Sequence, residues 1–316
     1  MDIFSILIIL VGLCLFEIIS SVDNAVINAD VLHTMKPKGR KWFLLWGILF
    51  AVFVVRGLLP WIIVFATNPA LGIIGSFTAT FSSDPRVISS MEASTPILLV
   101  GGGTFLIFIF FYWLFTEPKN YGLRVEKFFD NKGIWFYSIV SAVLALIVWY
   151  SLHKNPLMAF SAVIGSTAFF ITNGLKENAK KAEENLMKEH MSDISKIIYL
   201  EVIDATFSID GVLGAFAFTL SIPLILLGNG LGAFVVRELT VRNIDKVKKY
   251  PYLKNGAMYS IFFLGLIMIL DSFGVEIPIY VSPLVTFGVI GFFFWRSHID
   301  LKKMEEIVKK DKHMEE

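Results

Sequence analysis

Two long apolar runs of this chain carry acids in the same pattern. The first reads Glu17-Ile-Ile-Ser-Ser21-Val-Asp23-Asn24-Ala25, inside the run 3–28. The second reads Asp204-Ala-Thr-Phe-Ser208-Ile-Asp210-Gly-Val, 187 positions later for both Glu17/Asp204 and Asp23/Asp210. Glu201 precedes the second copy by one helical turn. An acid at the centre of a membrane helix costs about 2.5–3.5 kcal/mol on insertion scales, so Glu17, Asp23, Glu201, Asp204 and Asp210 would together cost on the order of 10 kcal/mol or more if left unpaired. A chain that keeps all five must turn them to a protein interior or a wet cavity, with cations as partners.

The apolar runs are long enough to make this a membrane problem. Hydrophobic residues make up 55% of the 316 positions, there are 30 Phe, and the 17% of charged residues falls well short of the usual quarter. Repeated apolar runs of about twenty residues specify an all-α, polytopic helical membrane protein rather than a soluble domain. The one cysteine, Cys14, lies inside the first run, so no disulfide framework exists. The first run lacks a basic leader and a small-residue cleavage site, and is read as a retained span.

Nine transmembrane helices are expected, at 3–28, 43–66, 95–115, 134–151, 157–173, 197–220, 222–239, 256–271 and 279–295. The apolar stretch 70–81, in the polar insertion 67–94, is too short to span and reads as interfacial or re-entrant. The connections 35–42, 116–133, 174–196 and 240–254 and the tail after 295 hold nearly all the loop Lys and Arg. With nine spans all of them fall on one side, which the positive-inside rule makes the cytoplasm, placing the N-terminus outside and the C-terminus inside. The charged connection 174–196 and the tail 296–316 read as solvated faces.

The pattern extends past the acids. Phe53-Val-Val-Arg56 follows the first motif and Phe234-Val-Val-Arg237 follows the second, in the same order. Residues 1–173 and 197–295 then form two halves. Their equivalent spans run in opposite directions, an inverted-topology repeat of the kind secondary transporters use around a midplane site. Arg56 and Arg237 are the internal cations, two against five acids, and the surplus negative charge calls for protons or a bound metal.

Glu17, Ser21, Asn24 and Asn28 share one helical face, as do Glu201, Asp204 and Ser208. Asp23 and Asp210 stand about 120° off those faces on a regular helix, so they join them only where the helix unwinds. Carboxylate, hydroxyl and amide oxygens suit hard cations such as Mg²⁺, Ca²⁺ or Mn²⁺. The five His are scattered over span ends and loops, which disfavours zinc or copper. The glycine-rich stretches at Gly101–Gly103 and Gly228–Gly232 read as close helix packing, with Asn229 a candidate for reaching the site.

At Glu17…Ser21-Val-Asp23-Asn24-Ala25, at Asp204-Ala-Thr-Phe-Ser208-Ile-Asp210, and more weakly at Gly102-Gly103, the chain resembles the TerC family of integral membrane proteins. That family is linked to tellurite resistance and to manganese export. The resemblance implies a divalent-metal exporter with the acids of both motifs as ligands. The chain departs from the family pattern in its 67–94 insertion and in Gly211.

The expectation is a secondary transporter, not an enzyme, that exports Mn²⁺ or a similar divalent metal ion across a prokaryotic plasma membrane. Glu17, Asp23, Asn24, Asp204 and Asp210 are the expected metal ligands. Ser21, Asn28, Arg56, Glu201, Ser208, Asn229 and Arg237 are expected to support or gate the site. The metal is cargo and no tightly bound cofactor is expected. The expected partners are the lipid bilayer, the divalent metal ion and protons as coupling ions, with no nucleic acid. The competing reading is a membrane assembly or stress-response scaffold with structural acids. An intramembrane metal enzyme is a third, disfavoured because no nucleophile–base arrangement is recognisable.

Overall fold

The computed structural model describes residues 2–21, 25, 28–29, 31–32, 34–47, 50, 56–67, 69–79, 85–130, 132–186, 192–242 and 249–315. The regular structure among them is helical throughout. The helices are α1 (Ile3–Ser20), α2 (Pro37–Trp42), α3 (Arg56–Thr67), α4 (Gly72–Ala79), α5 (Pro85–Thr116), α6 (Arg124–Phe129), α7 (Ile134–Lys154), α8 (Pro156–Leu186), α9 (Asp193–Ala215), α10 (Ile222–Arg242), α11 (Leu253–Ser272) and α12 (Val281–Glu315).

Local chemistry sets the ends. Asp2 caps α1 by accepting from the Ser5 amide at 2.9 Å, and Ser192 caps α9 by accepting from the Ser195 amide at 3.2 Å. Pro156 occupies the first turn of α8, where its missing N–H costs nothing, and the Asn155 side chain accepts from the Leu157 amide. Gly72 turns the chain between α3 and α4 with φ +66°, a conformation glycine adopts freely. At eight residues α4 cannot cross a bilayer, in agreement with the expectation for 70–81.

Six helical segments among the described residues are long and apolar enough to span a membrane: Ile3–Ser20, Glu92–Thr116, Ile134–Lys154, Pro156–Asn178, Leu253–Ser272 and Val281–Met304. The expected second span is described only as a π-helical turn over Phe43–Gly47 and as α3, with 48–49 and 51–55 outside the described residues. The expected fifth and ninth spans run on beyond their expected ends as parts of α8 and α12, so the boundaries placed at 173 and 295 fall inside continuous helices.

Helix α5 is central. Its glycines let three helices close up. A Cβ at Gly103 would stand 2.8 Å from the Gly265 carbonyl of α11, and one at Gly101 would stand 2.5 Å from Ser161 Oγ of α8. Ser161 Oγ donates to the Ile97 carbonyl at 2.6 Å, which ties α8 to α5. The triplet is therefore a packing device, as expected. Further along α5, Phe105, Phe108, Phe110 and Trp113 are buried and meet α8 and α11, with Phe110 and Phe262 centroids 4.5 Å apart. The outer helices present the opposite composition. On α7, Trp135 and Tyr137 near one end and Trp149 and Tyr150 near the other are exposed, the arrangement of aromatic belts at two membrane interfaces.

The contacts also fix relative directions. Gly228 meets Leu13 and Gly232 meets Glu17, so α10 runs parallel to α1. Gly214 meets Phe16, Gly211 meets Ser20, and Met35 packs in one cluster with Ile197, so α9 runs antiparallel to the first segment. Helix α11 runs antiparallel to α5 and α8 runs parallel to it.

Candidate ion-binding site

The charged residues of the interior gather around α9. Glu17 is buried on α1, and Arg56, at the start of α3, hydrogen-bonds to its Oε1. The same oxygen accepts from Ser21 Oγ at 2.8 Å. Arg237 of α10 lies 3.8 Å from Asp204 Oδ2 and 3.9 Å from Glu201 Oε1. Arg237 is anchored separately: Nη1 donates to the Phe43 carbonyl at 2.7 Å and the guanidinium lies 4.3 Å from the Phe43 ring centroid. Gly47 keeps this ground clear, because a Cβ there would collide with Glu201 and stand 2.8 Å from Arg237 Nη1.

The two pairs communicate. The Asp204 carboxylate acts electrostatically on Arg56 as well as on Arg237, and the two guanidiniums act on each other. Glu17, Arg56, Asp204, Arg237 and Glu201 are thus one buried network, with three acids against two arginines. Charges left unpaired in such surroundings are costly, and each arginine lies beside an acid that offsets it.

Asp210 behaves differently. Only an unwound helix would bring it onto the Glu201–Asp204–Ser208 face, and α9 does not unwind: it is helical from Asp193 to Ala215. Asp210 therefore keeps the offset a regular helix dictates and meets another helix. Its partner is Lys176 of α8. For Lys176 the solvated reading of 174–196 does not hold, because its side chain is only 15% exposed and pairs with an acid of the second motif. The signal was present in the sequence. The buried stripe Met158, Ala162, Gly165, Phe169, Thr172 continues with helical spacing onto Lys176.

Several polar atoms here are buried without a hydrogen-bond partner among the described residues. They include Glu17 Oε2, Asn28 Oδ1, both Glu201 oxygens, Ser208 Oγ, Asp210 Oδ1 and both amide atoms of Asn229, with Arg237 Nη2 on the cation side. Most are oxygens able to accept from a donor or to hold a hard cation. Asn229 is wholly buried, between Gly228 and Gly232, the glycines that seat α10 on α1. Asp23 and Asn24 lie outside the described residues. Among the described residues no three His, Cys, Asp or Glu side chains converge as metal ligands. Glu17, Asp204 and Asp210 are thus placed in neighbouring ion pairs and not in one ligand set.

A further buried carboxylate, missed from the sequence, lies away from this network. Glu126 of α6 is fully buried; its Oε2 accepts from the Gly122 amide at 2.6 Å and from Asn255 Nδ2 at 2.9 Å. Asn255 also donates to the Asn120 carbonyl at 2.8 Å, so the group fastens the 117–130 connection to α11.

Helices of this length and composition, aromatic belts and an interior charge network define a multi-pass integral membrane protein in contact with the lipid bilayer. Its residues 22–304 match the family described as "Protein of unknown function (DUF475)", and the chain belongs to that family. It is 25% identical over 153 residues to the "UPF0053 inner membrane protein YgdQ" of Escherichia coli strain K12, covering 43% of this chain and 63% of the relative. It is 24% identical over 180 residues to an "Uncharacterized membrane protein" of Rickettsia felis, covering 54% of this chain and 60% of the relative. It is 32% identical over 82 residues to the "Uncharacterized membrane protein YceF" of Bacillus subtilis, covering 26% of this chain and 32% of the relative. The match thus spans 63% or less of these relatives' length. No solved structure matches the chain.

Proposed function

We propose that the protein is a secondary transporter that exports a hard divalent cation, foremost Mn²⁺, across a bacterial plasma membrane. One observation carries this reading. Glu17 pairs with Arg56 and Asp204 pairs with Arg237, and these are the corresponding residues of the two sequence motifs. A duplicated acid–arginine pair, joined into one buried network with an excess of acid, is the arrangement expected where two halves of a transporter meet around a cation path.

Three further facts support it. The parallel course of α1 and α10 and the antiparallel course of α1 and α9 are directions that inverted halves would require. The unpartnered groups are mainly oxygens, which suit Mn²⁺, Ca²⁺ or Mg²⁺. The motif resemblance to TerC proteins points to manganese. Asp23, Asn24, Asp204 and Asp210 would then be ligands, with Glu17 joining once Arg56 shifts. Rocking of one half against the other would expose the site alternately, with protons replacing metal on the carboxylates.

A scaffold with structural acids is the second reading. It is favoured by the fact that Glu17, Glu201, Asp204 and Asp210 each have a basic partner. Mn²⁺, Ca²⁺ and Mg²⁺ flux into proteoliposomes holding the purified chain separates the two. Saturable flux of any of these ions supports transport. Its absence from folded, correctly inserted protein supports the scaffold.

A further inference from the structure

The three buried ion pairs are not equivalent, and the difference lies in the cations. Arg56 hydrogen-bonds to Glu17 within the electrostatic reach of Asp204, and Arg237 is held by the Phe43 carbonyl and ring. Both guanidiniums are rigid forks fixed by several groups. Lys176 is a compact ammonium on a flexible stem, and it belongs to neither motif. It stands in the last turn of the segment of α8 that is apolar enough to span, and it reaches Asp210, an acid of the second motif. Asp210 Oδ2 takes the ammonium, while Oδ1 is buried with no hydrogen-bond partner among the described residues.

A compact cation on a carboxylate occupies the place that a transported cation would need. We propose that the Lys176 ammonium is a tethered competitor for the transported divalent ion at Asp210. It neutralises the acid while no metal is bound and leaves the carboxylate when the ion arrives. The inference rests on the transporter reading. It adds a specific role for a residue outside both acidic motifs, one that lowers the apparent affinity for metal and keeps Asp210 from being left as an uncompensated buried charge between transport events. An ion that binds only the lysine-out form has its apparent affinity reduced by the fraction of molecules in that form.

The test is Mn²⁺ binding to the purified full-length chain in detergent, followed by the loss of the free-ion electron paramagnetic resonance signal. With a lysine-out form populated at about 10% or less, Lys176→Met is expected to tighten Mn²⁺ binding by about tenfold or more. Asp210→Asn should remove that gain, so the double variant binds no more tightly than Asp210→Asn alone. Lys176→Arg keeps the charge and adds a bidentate fork, and is expected to weaken Mn²⁺ binding several-fold. It carries the test if Lys176→Met does not fold. Wild-type binding together with unchanged affinity in a folded Lys176 variant overturns the competitor role and leaves the transporter reading standing. Absence of Mn²⁺ binding in both wild type and Lys176→Met, with no Ca²⁺ or Mg²⁺ binding by isothermal titration calorimetry, overturns the two together.

Discussion

Gly211 of α9 faces the Glu17 carboxylate of α1: a Cβ at position 211 would stand 3.0 Å from Glu17 Oε2. In sequence the glycine reads as a departure from a family pattern. In the structure it is regular helix, and its missing side chain is what lets the Glu17 carboxylate lie against α9. Gly211→Ala should force Glu17 to shift by a few tenths of an ångström, and Gly211→Val should displace it. Overpacking of this kind costs about 1–3 kcal/mol, with valine at the upper end. Unfolding of the detergent-solubilised variants checks this, with a neutral valine variant as the contradicting result.

Arg56 and Glu17 should be strongly coupled. Removing one partner of a buried pair leaves an uncompensated charge and costs about 3–5 kcal/mol, whereas replacing both with apolar residues is often close to neutral. Arg56→Met and Glu17→Leu are therefore each expected to destabilise heavily. The double variant should recover most of the loss, as a double-mutant cycle of unfolding free energies would show.

The glycine contacts of α5 make a sharper prediction. A Cβ at Gly165 would meet the backbone of Gly101, including its carbonyl carbon at 2.9 Å, and backbone cannot rotate away as a side chain does. Gly165→Val should separate α8 from α5 and destabilise by about 3 kcal/mol, the top of the overpacking range. A Cβ at Gly174 would meet nothing within 4 Å, so Gly174→Ala should be tolerated and serves as the control.

Glu126 should matter for stability and not for cargo. Glu126→Leu leaves the Gly122 amide without its acceptor and Asn255 Nδ2 with the Asn120 carbonyl alone, which costs about 1–3 kcal/mol. Glu126→Gln keeps one accepting oxygen and should lose less. Limited proteolysis within 117–133 should speed up in the leucine variant, while flux per folded molecule stays at the wild-type level.

Much of the fold was legible because its logic is one-dimensional. Apolar runs, aromatic ends and glycine spacing mark helices and close packing without knowledge of neighbours. The same holds for the pairs Glu17–Arg56 and Asp204–Arg237, which could be anticipated from the matching order of residues along the chain. The orientation of Asp210 was legible as an angle, about 120° from the Glu201–Asp204 face, but an angle does not say which helix waits there. Lys176 was missed for a different reason. A lysine at the head of a Lys- and Glu-rich run reads as solvated until α8 is known to continue unbroken to Leu186. The Glu126–Asn255 bond spans 129 positions between a short loop helix and α11, and no local pattern announces it.

The most direct measurement is Mn²⁺ flux in proteoliposomes, comparing wild type with Asp23→Asn, Asp204→Asn and Asp210→Asn, each verified as folded and inserted. The account predicts saturable flux in the wild type and its loss in all three variants without loss of folded protein. Wild-type protein that moves no Mn²⁺, Ca²⁺ or Mg²⁺, beside aspartate variants that aggregate, would contradict it and leave the acids as structural charges.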